Sequence, residues 1–221
     1  EVAHSLAGLA ARTGVRLVHI SSFWSYFPIQ RQPVDESHPR EGGPALARFR
    51  RDAEDILQNS GAAIVQLPDF YGPGVGASTI QRALEEAVSR GAFHWVGHTD
   101  VPRDAIFVPD AMRVTADLAM REEAYGERWL VPGAGPITAE QLAELAGQAL
   151  GRRVRARGGP LWVLRLLALF STELRTFMPL APHYAQPIRY DGAKLRGLLG
   201  EMPRTPHEEA LRATLESLRP A

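Results

Sequence analysis

Apolar positions in the first part of the chain fall into two alternating spacings. From Val2 to Arg12, Ala3, Leu6, Leu9 and Ala10 recur every three or four residues, the stripe of an amphipathic helix. Gly14 stands where helices commonly end. Val15 to Ile20 is a short apolar run that reads as a buried strand, with Ser21 and Ser22 at its C-terminal end. A polar loop punctuated by Pro28, Pro33 and Pro39 follows. Ala45 to Asn59 reads as a helix closed by Ser60 and Gly61, and Ala62 to Leu67 as a second buried strand. Pro68 to Gly76 is a turn, and Ser78 or Thr79 caps a helix running to about Arg90. Strands that alternate with helices predict parallel pairing in a doubly wound sheet.

The second part of the chain breaks this rhythm. Phe93 to Val108 carries short extended pieces around Gly97 and Pro102, and Asp110 to Arg121 reads as helical with Asp110 as its N-cap. Arg128 to Val131 predicts a strand, Gly133 to Pro136 a turn, and Thr138 the cap of a helix through Ala149 that Gly151 ends. Val154 to Ala156 reads as one more strand. Leu161 to Thr176, Gly192 to Leu199 and Pro206 to Leu218 read as helices, the first two separated by Pro179, Pro182 and Pro187. The expected class is α/β: a partial Rossmann-like doubly wound parallel sheet over residues 1–92. A smaller C-terminal mixed α/β lobe follows over 93–221, with some return to the sheet domain.

Composition narrows the function classes. Of 221 residues, 45% are hydrophobic, enough for a sizeable core. Lysine plus arginine equals aspartate plus glutamate at 25 each, so net charge gives no support for nucleic-acid or membrane-surface partners. Lys194 is the only lysine, and there is no cysteine, which excludes disulfides, thiolate metal sites and cysteine nucleophiles. Leu161 to Phe170, with Arg165 inside it, is too short to span a bilayer, which takes about 20 apolar residues, and reads as an amphipathic core or lobe helix, with a lipid-touching helix as the less favoured alternative. Glu1 to Ala11 does not read as a signal peptide, and a cytoplasmic location is expected. The chain starts with Glu1 rather than methionine, so a fragment of a longer product is expected.

Four local patterns carry chemistry. The first is His19-Ile20-Ser21-Ser22-Phe23-Trp24-Ser25-Tyr26, with hydroxyls at the C-terminal end of a strand, where open α/β sheets bind ligands. The second is Pro33-Val34-Asp35-Glu36-Ser37-His38-Pro39, followed by Leu46, Arg50 and Glu54 on one helical face. The third is Gln66-Leu67-Pro68-Asp69-Phe70-Tyr71-Gly72-Pro73-Gly74, and the fourth Arg103-Asp104-Ala105-Ile106-Phe107-Val108-Pro109-Asp110-Ala111. In order and spacing they resemble segments of the extended short-chain dehydrogenases/reductases of the NAD-dependent epimerase/dehydratase family: Ile-Ser-Ser-x-x-x-Tyr, Pro-x-x-Glu-x-x-Pro before Tyr-x-x-x-Lys-x-x-x-Glu, Arg-x-Pro-Asn-Val-Tyr-Gly-Pro, and Arg-Asp-Phe-x-x-Val-x-Asp-Val. The stretches Trp129 to Gly133 with Thr138 to Leu142, and Asp191 to Pro203, are similar to the family's closing region.

The resemblance implies roles. Ser22 takes the place of the serine that hydrogen-bonds the reacting carbonyl or hydroxyl. Ser21, Pro68, Phe70 and Tyr71 fall along the cofactor edge and Asp69 faces substrate, while Arg103 either holds a sugar or nucleotide phosphate or forms a surface or interdomain ion pair. Arg50 stands at the family's lysine, keeping the positive charge that binds the nicotinamide ribose. Leu46 stands at the tyrosine and cannot transfer a proton, so the usual general acid/base is absent. Tyr26, Tyr71, Glu36 and His38 are the candidate substitutes, with packing as the competing role for both tyrosines. The family's opening Gly-x-x-Gly-x-x-Gly turn, which seats a pyrophosphate on a helix N-terminus, has no counterpart in these residues.

Other constellations are weaker. His94, His98 and Asp100 offer zinc-type ligands without a third partner at an orthodox spacing, and no metal is expected. Gly-x-Ser-x-Gly is absent. Arg152, Arg153, Arg155 and Arg157 form a basic run read as a solvated strand or loop. The expected activity is that of an atypical NAD(P)-dependent oxidoreductase acting on a sugar nucleotide or another small hydroxyl or carbonyl compound. The alternative is a non-catalytic nucleotide-sensing or scaffold protein. NAD or NADP is expected as cofactor, bound weakly or not at all by this chain alone. A small-molecule substrate, no nucleic acid and no membrane are expected, and a homodimer is left open.

Overall fold

A computed structural model describes residues 1–184 and 186–218. In chain order it places α1 (Val2–Thr13), β1 (Val18–Ser22), a 3-10 turn (Phe23–Tyr26), α2 (Ala45–Asn59), β2 (Ala63–Leu67), β3 (Asp69–Tyr71), α3 (Thr79–Arg90), β4 (Ala92–Val96), β5 (Arg103–Phe107) and α4 (Val108–Ala119). A second 3-10 turn (Glu122–Ala124) leads to β6 (Arg128–Leu130), β7 (Pro136–Ile137), α5 (Ala139–Leu150), β8 (Arg155–Gly159), α6 (Leu161–Leu167), α7 (Thr172–Phe177), α8 (Ala181–Tyr184), α9 (Ala193–Leu199) and α10 (His207–Ser217).

The chain divides into two compact units that interleave along the sequence. Unit 1 holds Glu1–Pro68, Pro109–Pro132 and Tyr190–Arg204; unit 2 holds Asp69–Val108, Gly133–Arg189 and Thr205–Ala221. The buried face of α3, made of Ile80, Ala83, Leu84 and Ala87, packs into one core with Phe93, Trp95, Leu142, Ala146, Leu211 and Leu215 of unit 2. By these contacts α3 groups with unit 2 rather than with the residues before Pro68.

Unit 1 is built on a parallel sheet in the order β1-β2-β6, with Val18 opposite Ala63 and Ile64 opposite Arg128. All five residues of β2, the central strand, are buried, as an apolar run enclosed on both faces demands. Helix α2 packs Leu57 against Ala62 and Ile64, with Ala3, Ala7 and Leu17 at the margin. β1 lies at the sheet's edge with Ile20 45% exposed, and α1 buries none of its residues.

Unit 2 pairs β3 with β5 in parallel, β5 with β7 antiparallel, and β4 with β8 in parallel. Its helices start and stop on sequence signals. Ser78 caps α3, Thr138 and Gln141 form a reciprocal capping box on α5, and Gly91 and Gly151 close these helices in the left-handed conformation. Two expectations are corrected. Helix α4 begins at Val108 with Pro109 in its first turn, a position proline favours, so Asp110 is an acid of that turn rather than the cap. The helix expected over 161–176 is broken in two, because the Ser171 side chain accepts the Leu174 N–H and starts a fresh helix. Among the described residues, no helix is long and apolar enough to cross a membrane.

Candidate functional site

In unit 1, a polar network centred on Glu54 lies beside the C-terminal ends of β1 and β2. Leu46 and Arg50 are half-buried on α2, and Glu54, one turn further on, is 0% exposed. Ser21 Oγ donates to Glu54 Oε1 at 2.5 Å, and Gln66 Nε2 donates to Glu54 Oε2 at 2.9 Å. Arg40 reaches Glu54 Oε2 at 2.7 Å and Asp55 Oδ1 at 2.8 Å, and Arg128 meets the same Asp55 oxygen at 2.5 Å. Gln66 completes its set by donating to Ser25 Oγ at 3.0 Å and accepting from the Tyr26 hydroxyl at 2.6 Å. Burial pushes the Glu54 carboxyl above its ordinary range, with the Ser21 hydrogen bond and Arg40 pulling the other way.

The substitute proton carriers of this unit are engaged in holding it together. Tyr26 is fully buried, and burial, then the charges of Glu36 and Glu54, raise its pKa. A phenol so placed is a poor proton donor or acceptor, which argues for the packing role. The Glu36 carboxylate accepts the Leu130 N–H at 2.9 Å, and burial raises its pKa. His38 is buried, with Nε2 accepting from the Gln30 and Arg31 amides and Nδ1 facing the Pro39 carbonyl oxygen at 2.7 Å. Ser22 is half-buried and accepts the Trp24 N–H at 3.4 Å, a contact that does not use its own proton. The Arg50 guanidinium lies over the Trp24 ring at 4.7 Å. His19 is held below its usual pKa by burial and then by Arg50.

Unit 2 presents a different cluster. Asp69 on β3 and Arg103 on the adjacent β5 are 7% and 2% exposed, and Asp69 stands opposite Ala105, two residues from Arg103 on the same strand face. Arg103 Nη1 approaches Asp69 Oδ2 no closer than 3.9 Å, while the Tyr184 hydroxyl donates to Asp69 Oδ1 at 3.4 Å. None of the three guanidinium nitrogens has a hydrogen-bond partner among the described residues, nor does Trp95 Nε1. The guanidinium is held between two rings, 4.3 Å from Trp95 and 4.7 Å from Tyr184. Burial raises the Asp69 pKa, and Arg103 only partly opposes it at that separation.

Pro68 is buried and Phe70 half-buried. Tyr71 is fully buried beside His207, its hydroxyl 2.9 Å from Nδ1, and His207 Nε2 lies 2.9 Å from the Gly135 carbonyl oxygen. A carbonyl can only accept, so Nε2 carries the proton and Nδ1 accepts from Tyr71. Burial lowers the His207 pKa, which keeps the ring neutral in this role. His94 is taken up by Glu86, and among the described residues no three His, Cys, Asp or Glu side chains gather to hold a metal.

The structure thus joins Ser21, Tyr26, Glu54 and Gln66 in one network, and Asp69 and Arg103 in another. Arg40, Trp95 and Tyr184 stand in none of the sequence patterns above, and Gln66 opens the third without a role of its own. Gln66 was visible as a polar residue inside an apolar strand, the pattern of a buried side chain that needs partners. Trp95 and Tyr184 have no local signature, because only the tertiary fold brings them to Arg103.

No family model and no curated protein matches the sequence. Solved structures do. UDP-glucuronic acid 4-epimerase from Bacillus cereus in complex with NAD superimposes with a TM-score of 0.77 at 14% identity, over 98% of this chain and 66% of that one. dTDP-glucose 4,6-dehydratase from Bacillus anthracis, in complex with NAD, gives 0.75 at 14% identity, over 97% and 65%. RMD from Pseudomonas aeruginosa, complexed with NADPH, gives 0.75 at 18% identity, over 97% and 70%. The chain spans slightly less than two thirds of the length of the first two.

These likenesses establish the fold: a Rossmann-like α/β arrangement. More narrowly, it is the arrangement found in NAD-dependent epimerases and dehydratases, the one that the four sequence motifs resemble.

Proposed function

We propose that the protein is an atypical NAD(P)-dependent epimerase/dehydratase-like oxidoreductase, acting on a sugar nucleotide or another small hydroxyl or carbonyl compound that carries an anionic group. The observation that carries this reading is Arg103. A buried guanidinium with no hydrogen-bond partner is costly unless something supplies acceptors. A phosphate or carboxylate offers the matching bidentate pair of oxygens, and the Trp95 and Tyr184 rings hold the guanidinium plane in place.

In this reading Ser22 donates its free proton to the reacting oxygen, and Arg50 supplies positive charge to a cofactor ribose. Bound NAD(P) supplies hydride chemistry. The residues present fit one end of that cofactor only, since a glycine-rich pyrophosphate turn does not occur among them. Proton transfer has no assigned side chain, because Leu46 occupies the position of the family's tyrosine. That same Leu46 favours the second reading, a nucleotide-sensing or scaffold protein that binds without turnover.

Calorimetry with UDP on the parent chain and on Arg103→Leu tests the anion role. Binding that weakens by about tenfold to a hundredfold in the variant supports it, in line with about 1.5–3 kcal/mol for a charge-assisted hydrogen bond. Equal affinities would remove Arg103 from the site. Turnover of a hydroxyl or carbonyl substrate with NAD(P), abolished in Ser22→Ala, would exclude the non-catalytic reading.

A further inference from the structure

From Gly151 to Arg189, entirely within unit 2, the balanced charge of the chain gives way to seven arginines against the single acid Glu173. The same stretch exposes the largest group of bulky apolar side chains. Trp162 is 61% exposed, Leu166 52%, Leu169 66% and Phe170 91%. Their spacing follows helix α6 and the turn that continues it, where Leu169 and Phe170 bond back to Leu166 and Leu167, so they form one stripe. Five large apolar residues exposed within nine positions, Leu167 included at 51%, are not the scattered surface hydrophobics that need no explanation.

Four of these arginines are equally uncommitted among the described residues. Arg153, Arg155 and Arg157 lie exposed on and just before β8, which leads through Pro160 into α6, and Arg165 is exposed on α6 itself. Among the described residues none of these four has a carboxylate partner, although elsewhere in the chain arginines pair readily with acids. Solvated arginines alone carry no message. Arg165 lies three residues from Trp162 and four from Leu169 on the same helical stretch, and the other three arginines lead along the chain into it. Unpaired arginines in company with an exposed Trp-Leu-Phe stripe match a surface with apolar depth and negative charge at its boundary. Tryptophan is the side chain that settles at that boundary, with its ring in the apolar layer and its N–H toward water.

We propose that this face of unit 2 docks on an anionic phospholipid bilayer, with the α6 stripe lying in the headgroup region and the arginines on lipid phosphates and carboxylates. Contact is peripheral, since no described helix can cross a membrane. The inference departs from the sequence expectation of no membrane partner. That expectation rested on the net charge of the whole chain, which cancels a local excess, and on reading Leu161 to Phe170 as a core or lobe helix, whose exposed stripe instead fits the lipid-touching alternative. The inference is also independent of the oxidoreductase reading and stands or falls without it.

The test is flotation of the full 221-residue chain with phosphatidylcholine vesicles, with and without phosphatidylserine. The chain is expected to float with the anionic vesicles alone and to be released by high salt. Trp162 fluorescence should shift to the blue on binding, a change absent in Trp162→Ser. Trp162→Ser with Phe170→Ser should abolish flotation. Arg155→Ala with Arg157→Ala should weaken it roughly tenfold or more. All four side chains are exposed, so circular dichroism should show both variants folded. Equal flotation with both kinds of vesicle, or with neither, overturns the proposal. If the chain instead runs as a dimer on gel filtration and the Trp162→Ser, Phe170→Ser variant as a monomer without either floating, the face belongs to a second copy of the chain.

Discussion

Each unit buries a charged side chain almost completely, and the two are treated in opposite ways. Glu54 in unit 1 accepts from Ser21, Gln66 and Arg40, and through Gln66 its network extends to Ser25 and Tyr26. The Arg103 guanidinium in unit 2 has two aromatic faces and a carboxylate 3.9 Å away, and no hydrogen bond among the described residues. A network in which both oxygens of Glu54 and both ends of the Gln66 amide are answered specifies one arrangement of its own fold, although Arg40 Nε and Arg128 Nε have no hydrogen-bond partner among the described residues. A guanidinium left open is a standing cost to the fold, of the kind that binding sites carry. The difference separates a structural cluster from a candidate site, even though both grew from motifs of the same resemblance.

The sharpest way to break the comparison is Glu54→Leu. It removes the only carboxylate that Ser21 and Gln66 bond, and leaves Arg40 with the half-exposed Asp55 as its remaining anion. Breaking a buried charge network by deleting one member costs about 3–5 kcal/mol, which urea denaturation would register as a large fall in the midpoint. Tyr26→Phe is the milder version. It leaves Gln66 Oε1 without its donor in a fully buried place and is expected to cost about 1–3 kcal/mol. A loss far below that range would mean that the hydroxyl is not held where the network puts it.

Arg103→Leu is expected to behave unlike Glu54→Leu. The variant removes an unsatisfied buried charge but, leucine being shorter, also gives up the contacts with the Trp95 and Tyr184 rings, so the midpoint should fall by the equivalent of about 1–2 kcal/mol, well short of Glu54→Leu. A loss as large as that of Glu54→Leu would show that Arg103 holds the fold together and would dissolve the contrast.

How far the sequence shows this contrast depends on distance along the chain. The boundaries of α2 are fully legible, because Ser60-Gly61 and the apolar spacing are local signals. The capping of α5 is legible for the same reason, since Thr138 and Gln141 lie three residues apart. The break at Ser171 is less so, since the apolar run continues through it and only the hydroxyl competing for a backbone N–H decides the matter. The interleaved units are not legible as such: α3 joins the second by packing on α5 and α10, far away in sequence. Arg103 could be singled out by its motif, but its aromatic enclosure could not, since Trp95 and Tyr184 come from separate parts of the chain. Glu54 could be placed on the face of Arg50 by spacing, and its burial follows only once Gln66 is seen to answer it from β2.

The smallest expected effect tests the electrostatic side of the same network. Burial raises the folded-state pKa of Glu54 above its ordinary 4.5. A carboxyl raised in this way binds its proton more tightly folded than unfolded. Its contribution is therefore fully present below the unfolded pKa and is lost as pH rises through the folded one. Glu54→Gln removes that titration and leaves in both proteins the groups that titrate in the other sense, such as Asp55, whose pKa is lowered. Whatever the variant loses in hydrogen bonding with Arg40, the Tm advantage of the parent over Glu54→Gln should narrow as pH rises above the ordinary carboxyl value of 4.5. A widening gap over that rise would mean that Arg40 and Ser21 stabilise the carboxylate more than burial penalises it. Glu54 would then be an anchored charge rather than a tolerated one.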